Sequence, residues 1–140
     1  MELATALEFA RTSNNGVLST IKRSGRPQLS NITYWISEGG TIRISITADR
    51  AKYHNIVRDP RVSLYVTRAD FWAYVVLEGD AVLSPIAAAV DDQATEELVA
   101  LYREVRGEHP DWNEYREAMV DDHRCVLHIT PIHAYGMINR

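Results

Sequence analysis

The chain has 140 residues, 46% of them hydrophobic and 24% charged, with a formal charge of −4. That is the composition of one ordinary globular domain, spanning residues 1–140, with enough length for a proper core. No apolar run is long enough to cross a bilayer and no charged-then-apolar leader stands at the start, so a cytoplasmic protein is expected. A single cysteine, Cys125, excludes an intrachain disulfide framework, and its apolar alternating surroundings predict a buried, inert thiol.

The charge is unevenly spread. Residues 41–66 hold five Arg or Lys against two Asp, whereas residues 84–124 hold eleven Asp or Glu against four Arg. The acidic portion argues against general nucleic-acid binding. The basic portion permits a small anionic ligand.

In chain order, Glu2 to Arg11 reads as an amphipathic helix, with Leu3, Ala6, Leu7 and Ala10 on one face. Asn14-Asn15-Gly16 turns the chain, Val17 to Lys22 is a short strand, and Arg23 to Pro27 is a hairpin loop before a returning strand, Gln28 to Ile36. Ile42, Ile44 and Ile46 then alternate with Arg43, Ser45 and Thr47, the period of a half-buried strand. Asp49 is placed to cap the short helix that follows, and Asp59-Pro60 ends it. Arg61 to Val66 alternates as a strand again. Phe71 to Leu83 forms one long strand, or two broken at Gly79.

Ser84-Pro85 opens a helical region whose apolar face runs from Thr95 through Leu98, Val99, Leu101 and Tyr102 to Val105, closed by Gly107. Asp111 is a plausible cap for a further helix, Trp112 to Val120, in which Trp112 and Tyr115 are expected in the core. Cys125 to Ile129 is a strand that Pro131 interrupts, and His133 to Ile138 is a final strand. Six to seven short, mostly antiparallel strands with helices between them predict a mainly β fold of the α+β kind, a small closed barrel.

Few residues point to chemistry on their own. Arg50 and Lys52 fall in the first turn of a helix, where cations oppose the helix dipole. Either an anion sits there, held by free backbone N–H groups and two cations, or these are solvated surface charges. Asn31 is a polar amide in mid-strand that needs a partner, from a ligand or from the fold. Trp72 and Tyr74 share a strand face, as cofactor wall, core or dimer interface. His123, His128 and His133 are five apart, which matches no zinc spacing, so no metal is expected.

Taken together and in order, certain segments resemble a known family. They are Gly16-Val17-Leu18-Ser19-Thr20, Gly25-Arg26-Pro27-Gln28-Leu29-Ser30-Asn31, Arg50-Ala51-Lys52, Asn55, Arg58-Asp59-Pro60-Arg61, Trp72-Ala73-Tyr74 and Glu78-Gly79. The set resembles the pyridoxamine 5'-phosphate oxidase-like, FMN-binding split-barrel family over Gly16 to Gly136. It looks closest to the actinobacterial branch that uses the deazaflavin coenzyme F420.

The resemblance implies a homodimer of split β-barrels with cofactor sites in the clefts between subunits. It implies that Ser45, Ile46 and Thr47 lie beside the cofactor, that Arg50, Ala51 and Lys52 meet its phosphate or the start of its tail, and that Asn55 stands near them. Gln28, Ser30 and Asn31 are implied near the ring system. Trp72 and Tyr74 would come from the partner or the cleft wall. Lys22, Arg23, Arg26, Arg58 and Arg61 either follow the anionic tail or are ordinary surface charges. The vitamin B6 oxidases carry further basic and histidine residues at the C-terminus, whereas this sequence ends Met137-Ile138-Asn139-Arg140, so another acceptor is expected.

The implied activity is F420-dependent reduction of a small conjugated acceptor. The alternatives are an FMN-dependent oxidoreductase and a non-catalytic F420-binding or carrier protein. A deazaflavin or flavin carries the hydride chemistry itself, so no nucleophile–base pair is required of the chain.

Overall fold

Branched apolar residues recur at every second position along the strands, and they fill the inside of a barrel. In the computed structural model, which describes residues 1–139, six strands close on themselves. They are β1 (Asn15–Ile21), β2 (Pro27–Ile36), β3 (Ile42–Thr47), β4 (Arg61–Thr67), β5 (Tyr74–Leu83) and β6 (Arg124–Met137). Around the barrel the order is β1-β2-β3-β6-β5-β4, every pair antiparallel. Four helices join them: α1 (Leu3–Ala10), α2 (Ala51–Arg58), α3 (Gln93–Arg106) and α4 (Trp112–Asp121). Arg140 lies outside the described residues.

Leu18, Tyr34, Ile42, Ile44, Ile46, Leu64, Val66, Val75, Leu77, Cys125, Leu127 and Ile129 are almost fully buried inside the barrel. Each large aliphatic side chain so buried contributes about 1.5–3 kcal/mol over leaving it in water. Cys125 is where its alternation put it, and burial raises its thiol to about 11. α1 packs on β5 and β6, with Ala6 and Ala10 buried against the core. The buried Tyr34 hydroxyl donates to the carbonyl of Ala10 at 2.5 Å, which ties that helix to β2.

A second apolar cluster lies outside the barrel. Ala94, Leu98 and Leu101 of α3 cover Val126 of β6, with Trp35, Met119 and Val120 around them. α3 and α4 are thus a helical insert laid on the outer face of β2, β3 and β6. Both helices are capped by carboxylates. Asp92 accepts from the Thr95 N–H at 2.9 Å and Asp111 from the Glu114 N–H at 3.1 Å. Gly107 ends α3 at φ 83°, as its position predicts.

The structure corrects four boundaries. Pro131 does not divide the last strand: β6 runs unbroken for 14 residues. The accommodation is made across the ladder, where the register slips between Glu78 and Gly79 and sets Gly79 opposite Pro131. A Cβ at Gly79 would lie 2.2 Å from the carbonyl oxygen of Thr130, so only glycine fits. Second, β5 starts at Tyr74, not Phe71. Residues 68–72 form a loop in which Phe71 has φ 66° and Asp70 accepts from the Trp72 N–H at 2.9 Å. Third, Ser84-Pro85 opens no helix: Ser84 and Ala87 extend the ladder by donating to the carbonyls of Val126 and Arg124, and α3 begins only at Gln93. Fourth, Asp49 does not cap α2; Arg50 is the N-cap and no side chain caps the helix.

Candidate functional site

Between the outer face of β1, β2 and β3 and the helical insert runs a cleft of about 1230 Å³. The barrel supplies Val17, Asn31, Thr33, Ser45 and Thr47; the insert supplies Leu101, Tyr102, Val105, Tyr115 and Met119. The polar side is the alternate set of each strand. Since Ile42, Ile44 and Ile46 point inward, Ser45 and Thr47 must point out.

Arg50, Lys52 and Arg124 converge on this cleft. Arg50 and Lys52 open α2, whose first N–H groups have no partner within the helix and no capping side chain. Arg124 opens β6 and pairs in register with Thr47, which brings it across from α2. Its guanidinium reaches Ser45 only loosely, 3.4 Å to the hydroxyl, and its Nε is buried without a hydrogen-bond partner. Among the described residues none of these three cations forms an ion pair. Burial, then Arg50, then Arg124 hold the Lys52 ammonium below its ordinary value of 10.5. Like charges held together with a buried donor left over are the electrostatics of an anion site.

The comparisons with known proteins bear on this geometry. Residues 3–137 match the family described as Pyridoxamine 5'-phosphate oxidase. The chain belongs to the pyridoxamine 5'-phosphate oxidase family. Its fold is similar to that of a conserved hypothetical protein from Mycobacterium tuberculosis, at 25% identity and TM-score 0.76 over 100% of this chain and 86% of that one. It is similar to an F420 reductase at 20% identity and TM-score 0.70, over 91% of this chain and 94% of that one. A heme binding protein from Mycobacterium smegmatis also shares the fold, at 19% identity and TM-score 0.69, over 100% of this chain and 56% of that one. One fold thus carries proteins named for different groups, and the family alone does not name the cofactor.

Six of the residues expected at a cofactor line the cleft together: Asn31, Ser45, Ile46, Thr47, Arg50 and Lys52. Six do not line it in the single chain. Asn55 is buried, and its amide donates to Gln28 at 2.8 Å and to Thr20 at 3.1 Å while its oxygen accepts from Arg58 at 2.9 Å. Gln28 and Asn55 therefore clamp α2 to the β1–β2 hairpin. Ser30 pairs with Leu18 in the ladder, and Ala51 is exposed at the start of α2. Trp72 is 66% exposed in the loop before β5, and Tyr74 is half-buried against Tyr65, ring centroids 5.6 Å apart.

Sequence reasoning passed over Arg124 and the whole helical wall. The register with Thr47 is what places Arg124, and register is a long-range fact. Tyr115, expected in the core, is buried and also faces the cleft. Its hydroxyl donates to the carbonyl of Leu98 at 3.1 Å, and burial raises its phenol to about 12. The three histidines weighed as metal ligands are committed elsewhere or solvated. His128 meets Glu97 beneath α3, His133 stands 3.9 Å from Glu78 on the surface, and His123 is exposed in the turn before β6. Among the described residues no helix is long and apolar enough to cross a membrane.

Proposed function

We propose that this chain is an oxidoreductase that uses the deazaflavin coenzyme F420 and passes hydride to a small conjugated acceptor. The observation that carries the reading is the convergence of Arg50, Lys52 and Arg124, without carboxylate partners among the described residues, on a large cleft. The phosphodiester and glutamate tail of a deazaflavin are the anions such a site lacks. The donor set fits: two cations and the N–H groups at the start of α2 take a phosphate by charge-assisted hydrogen bonds. The buried Arg124 Nε offers a further donor. The likeness to an F420 reductase is one of fold and supports the same ranking.

Bound there, the cofactor supplies the hydride chemistry itself. The chain's own residues bind and orient. Ser45 and Thr47 offer hydroxyls along the barrel wall, Asn31 offers an amide, and Tyr102, Val105, Tyr115 and Met119 exclude water from the other side. Gln28 and Asn55 set the angle of α2 and hence the position of Lys52.

The assembly proposed is a homodimer that completes the cleft. Phe71, Trp72, Tyr135 and Met137 are exposed large apolar side chains, and Met137 pairs with Tyr74 in the ladder, so they cluster at one end of β5 and β6. Sedimentation of the untagged protein at micromolar concentration should show a dimer; a monomer that still binds F420 would exclude a shared cleft.

Parallel fluorescence titrations with F420 and FMN test the cofactor, with tighter F420 binding expected. Tighter FMN binding would reverse the ranking, since FMN needs only the phosphate cluster. Oxidation of reduced F420 with a panel of conjugated acceptors then separates an enzyme from a carrier.

A further inference from the structure

The chain has two lysines, Lys22 and Lys52, and their surroundings differ. Lys22 stands exposed just after β1, in a hairpin whose other cations, Arg23 and Arg26, are exposed with it. Lys52 is half-buried in the first turn of α2 and lines the cleft with Arg50 and Arg124. Charges in open solvent are screened, whereas charges along a partly buried wall are screened much less.

Among the described residues the Lys52 ammonium forms no ion pair and donates no hydrogen bond. Burial, then Arg50, then Arg124 all favour its neutral amine. A guanidinium keeps its proton in a protein, so Lys52 is the one member of this trio that can shed its charge. The rest of the cleft does not offset the cations. The insert brings one charge of each sign, Arg106 and Glu114, both exposed, and Arg68 is held by Asp70 at 2.9 Å. Arg124 has a buried Nε without a partner. An amine desolvated beside other cations is a nucleophile, and the guanidiniums next to it are donors for a carboxylate.

We propose that Lys52 is a covalent site for a short aldehyde that carries a carboxylate: the amine takes the aldehyde carbon as an imine while Arg50 and Arg124 hold the carboxylate. The amine lone pair forms the C–N bond, its N–H protons pass to the aldehyde oxygen, and that oxygen leaves as water. No electron is gained or lost, so no oxidant or reductant is required. The step replaces an ammonium beside two guanidiniums by a neutral nitrogen, and it brings an anion to them. Both changes lower the repulsion in the cluster. A neutral aldehyde achieves only the first, and in the solvated hairpin of Lys22 both are weak. The imine occupies the place proposed for the cofactor phosphate, so the aldehyde displaces the cofactor. That consequence rests on the oxidoreductase reading of the cleft; the imine itself does not.

Reductive trapping on the protein without cofactor reads the site. Succinic semialdehyde carries the carboxylate, butanal has the same carbon frame without it, and cyanoborohydride fixes either imine as a secondary amine. Peptide mass spectrometry then compares Lys52 with Lys22. At low salt succinic semialdehyde should label Lys52 about tenfold faster than Lys22. That preference should fall at least about threefold with butanal, and likewise on raising the salt. Arg124→Gln should lower it more for succinic semialdehyde than for butanal. Lys52→Arg keeps the charge and should abolish labelling there while Lys22 is labelled as before. Equal labelling of the two lysines, or the same preference with both aldehydes, would overturn the proposal. Should the variants misfold, the wild-type comparison of the two aldehydes decides alone. Labelling at Lys52 in a protein that fails to bind F420 would sink the oxidoreductase reading and leave the imine standing; F420 binding without preferential labelling would do the reverse.

Discussion

The barrel and the helical insert solve the same packing problem by opposite means. The barrel buries two-residue alternation inside a closed ladder, where backbone groups pair all round and tolerances are set by backbone contact. The insert is an acidic pair of helices that stays in place by laying Ala94, Leu98 and Leu101 on the outside of β6 and by capping both its helices with aspartates. The candidate site lies between them, with the cations on the barrel side and the rings on the insert side. The barrel half thus carries the proposed anion site and the insert shapes the remaining space. Function on such a scaffold is expected to vary through the insert.

The comparison predicts that the barrel is the less forgiving half. Gly79→Ala puts a Cβ 2.2 Å from a backbone oxygen in the β5–β6 ladder, where neither strand can yield without losing its pairs. A loss of at least about 4 kcal/mol is expected, at the diagnostic end for single substitutions, measured by urea denaturation. A small loss would mean that the bulge is compliant. Leu98→Ala removes a fully buried side chain from the insert, at an expected cost of about 2–5 kcal/mol. Hydrogen exchange should show α3 opening while β3 and β6 stay protected; global unfolding would show that the two halves are one cooperative unit.

Lys52→Ala tests the site between them. If a cofactor phosphate rests on the start of α2, the lost charge-assisted contact is worth about 1.5–3 kcal/mol, or about tenfold to a hundredfold in F420 affinity. Calorimetric titration at two salt concentrations should show the wild-type affinity falling with salt, and equal affinities would remove Lys52 from the site. Without cofactor the sign reverses. The folded state holds Lys52 below 10.5, so it disfavours the charged form. That penalty is present at neutral pH and is relieved as pH rises toward 10.5. Lys52→Ala should therefore unfold at a slightly higher temperature than wild type near pH 7, and the gap should close toward pH 10.5.

How much of this was legible in the sequence follows the same division. Ile42, Ile44 and Ile46, or Val62, Leu64 and Val66, announce an inward face because strand period is local. Asp111 and Gly107 announce helix ends because capping is local too. Pro131 misleads because what admits it is Gly79 on another strand, and no local rule connects the two. Arg124 joins Arg50 and Lys52 only through the β3–β6 register. Leu101, Tyr102, Val105 and Tyr115 have the helical spacing of core residues, and the sequence does not say that part of that face borders a cleft. Asn55 and Gln28 show the converse: polar side chains in a basic neighbourhood that spend their hydrogen bonds on each other.

The smallest expected effect is at the start of the insert. One carboxylate oxygen of Asp92 accepts from the Thr95 N–H at 2.9 Å, and the other accepts from the N–H groups of Ala88 at 2.8 Å and Ala89 at 3.1 Å. The backbone bonds from Ala88 and Thr95 lead in lowering its carboxyl from 3.8 to about 2. Asp92→Ala loses the cap, at an expected cost of about 1 kcal/mol, while Asp92→Asn keeps an accepting oxygen and should lose less. The side chain is half-buried and still reached by solvent, so this value is taken from capping and not from the displaced titration. A depressed carboxyl stabilises the fold fully above its unfolded value of 3.8 and loses that contribution as pH falls through about 2. The gap between wild type and Asp92→Ala should accordingly be constant from pH 5 to 8 and narrow below 3.8, read from urea midpoints across that range. A gap that does not change with pH would show that the accepting oxygen of the cap matters and its charge does not. In either case F420 affinity should hold, because the cap lies in the half that does not carry the anion site.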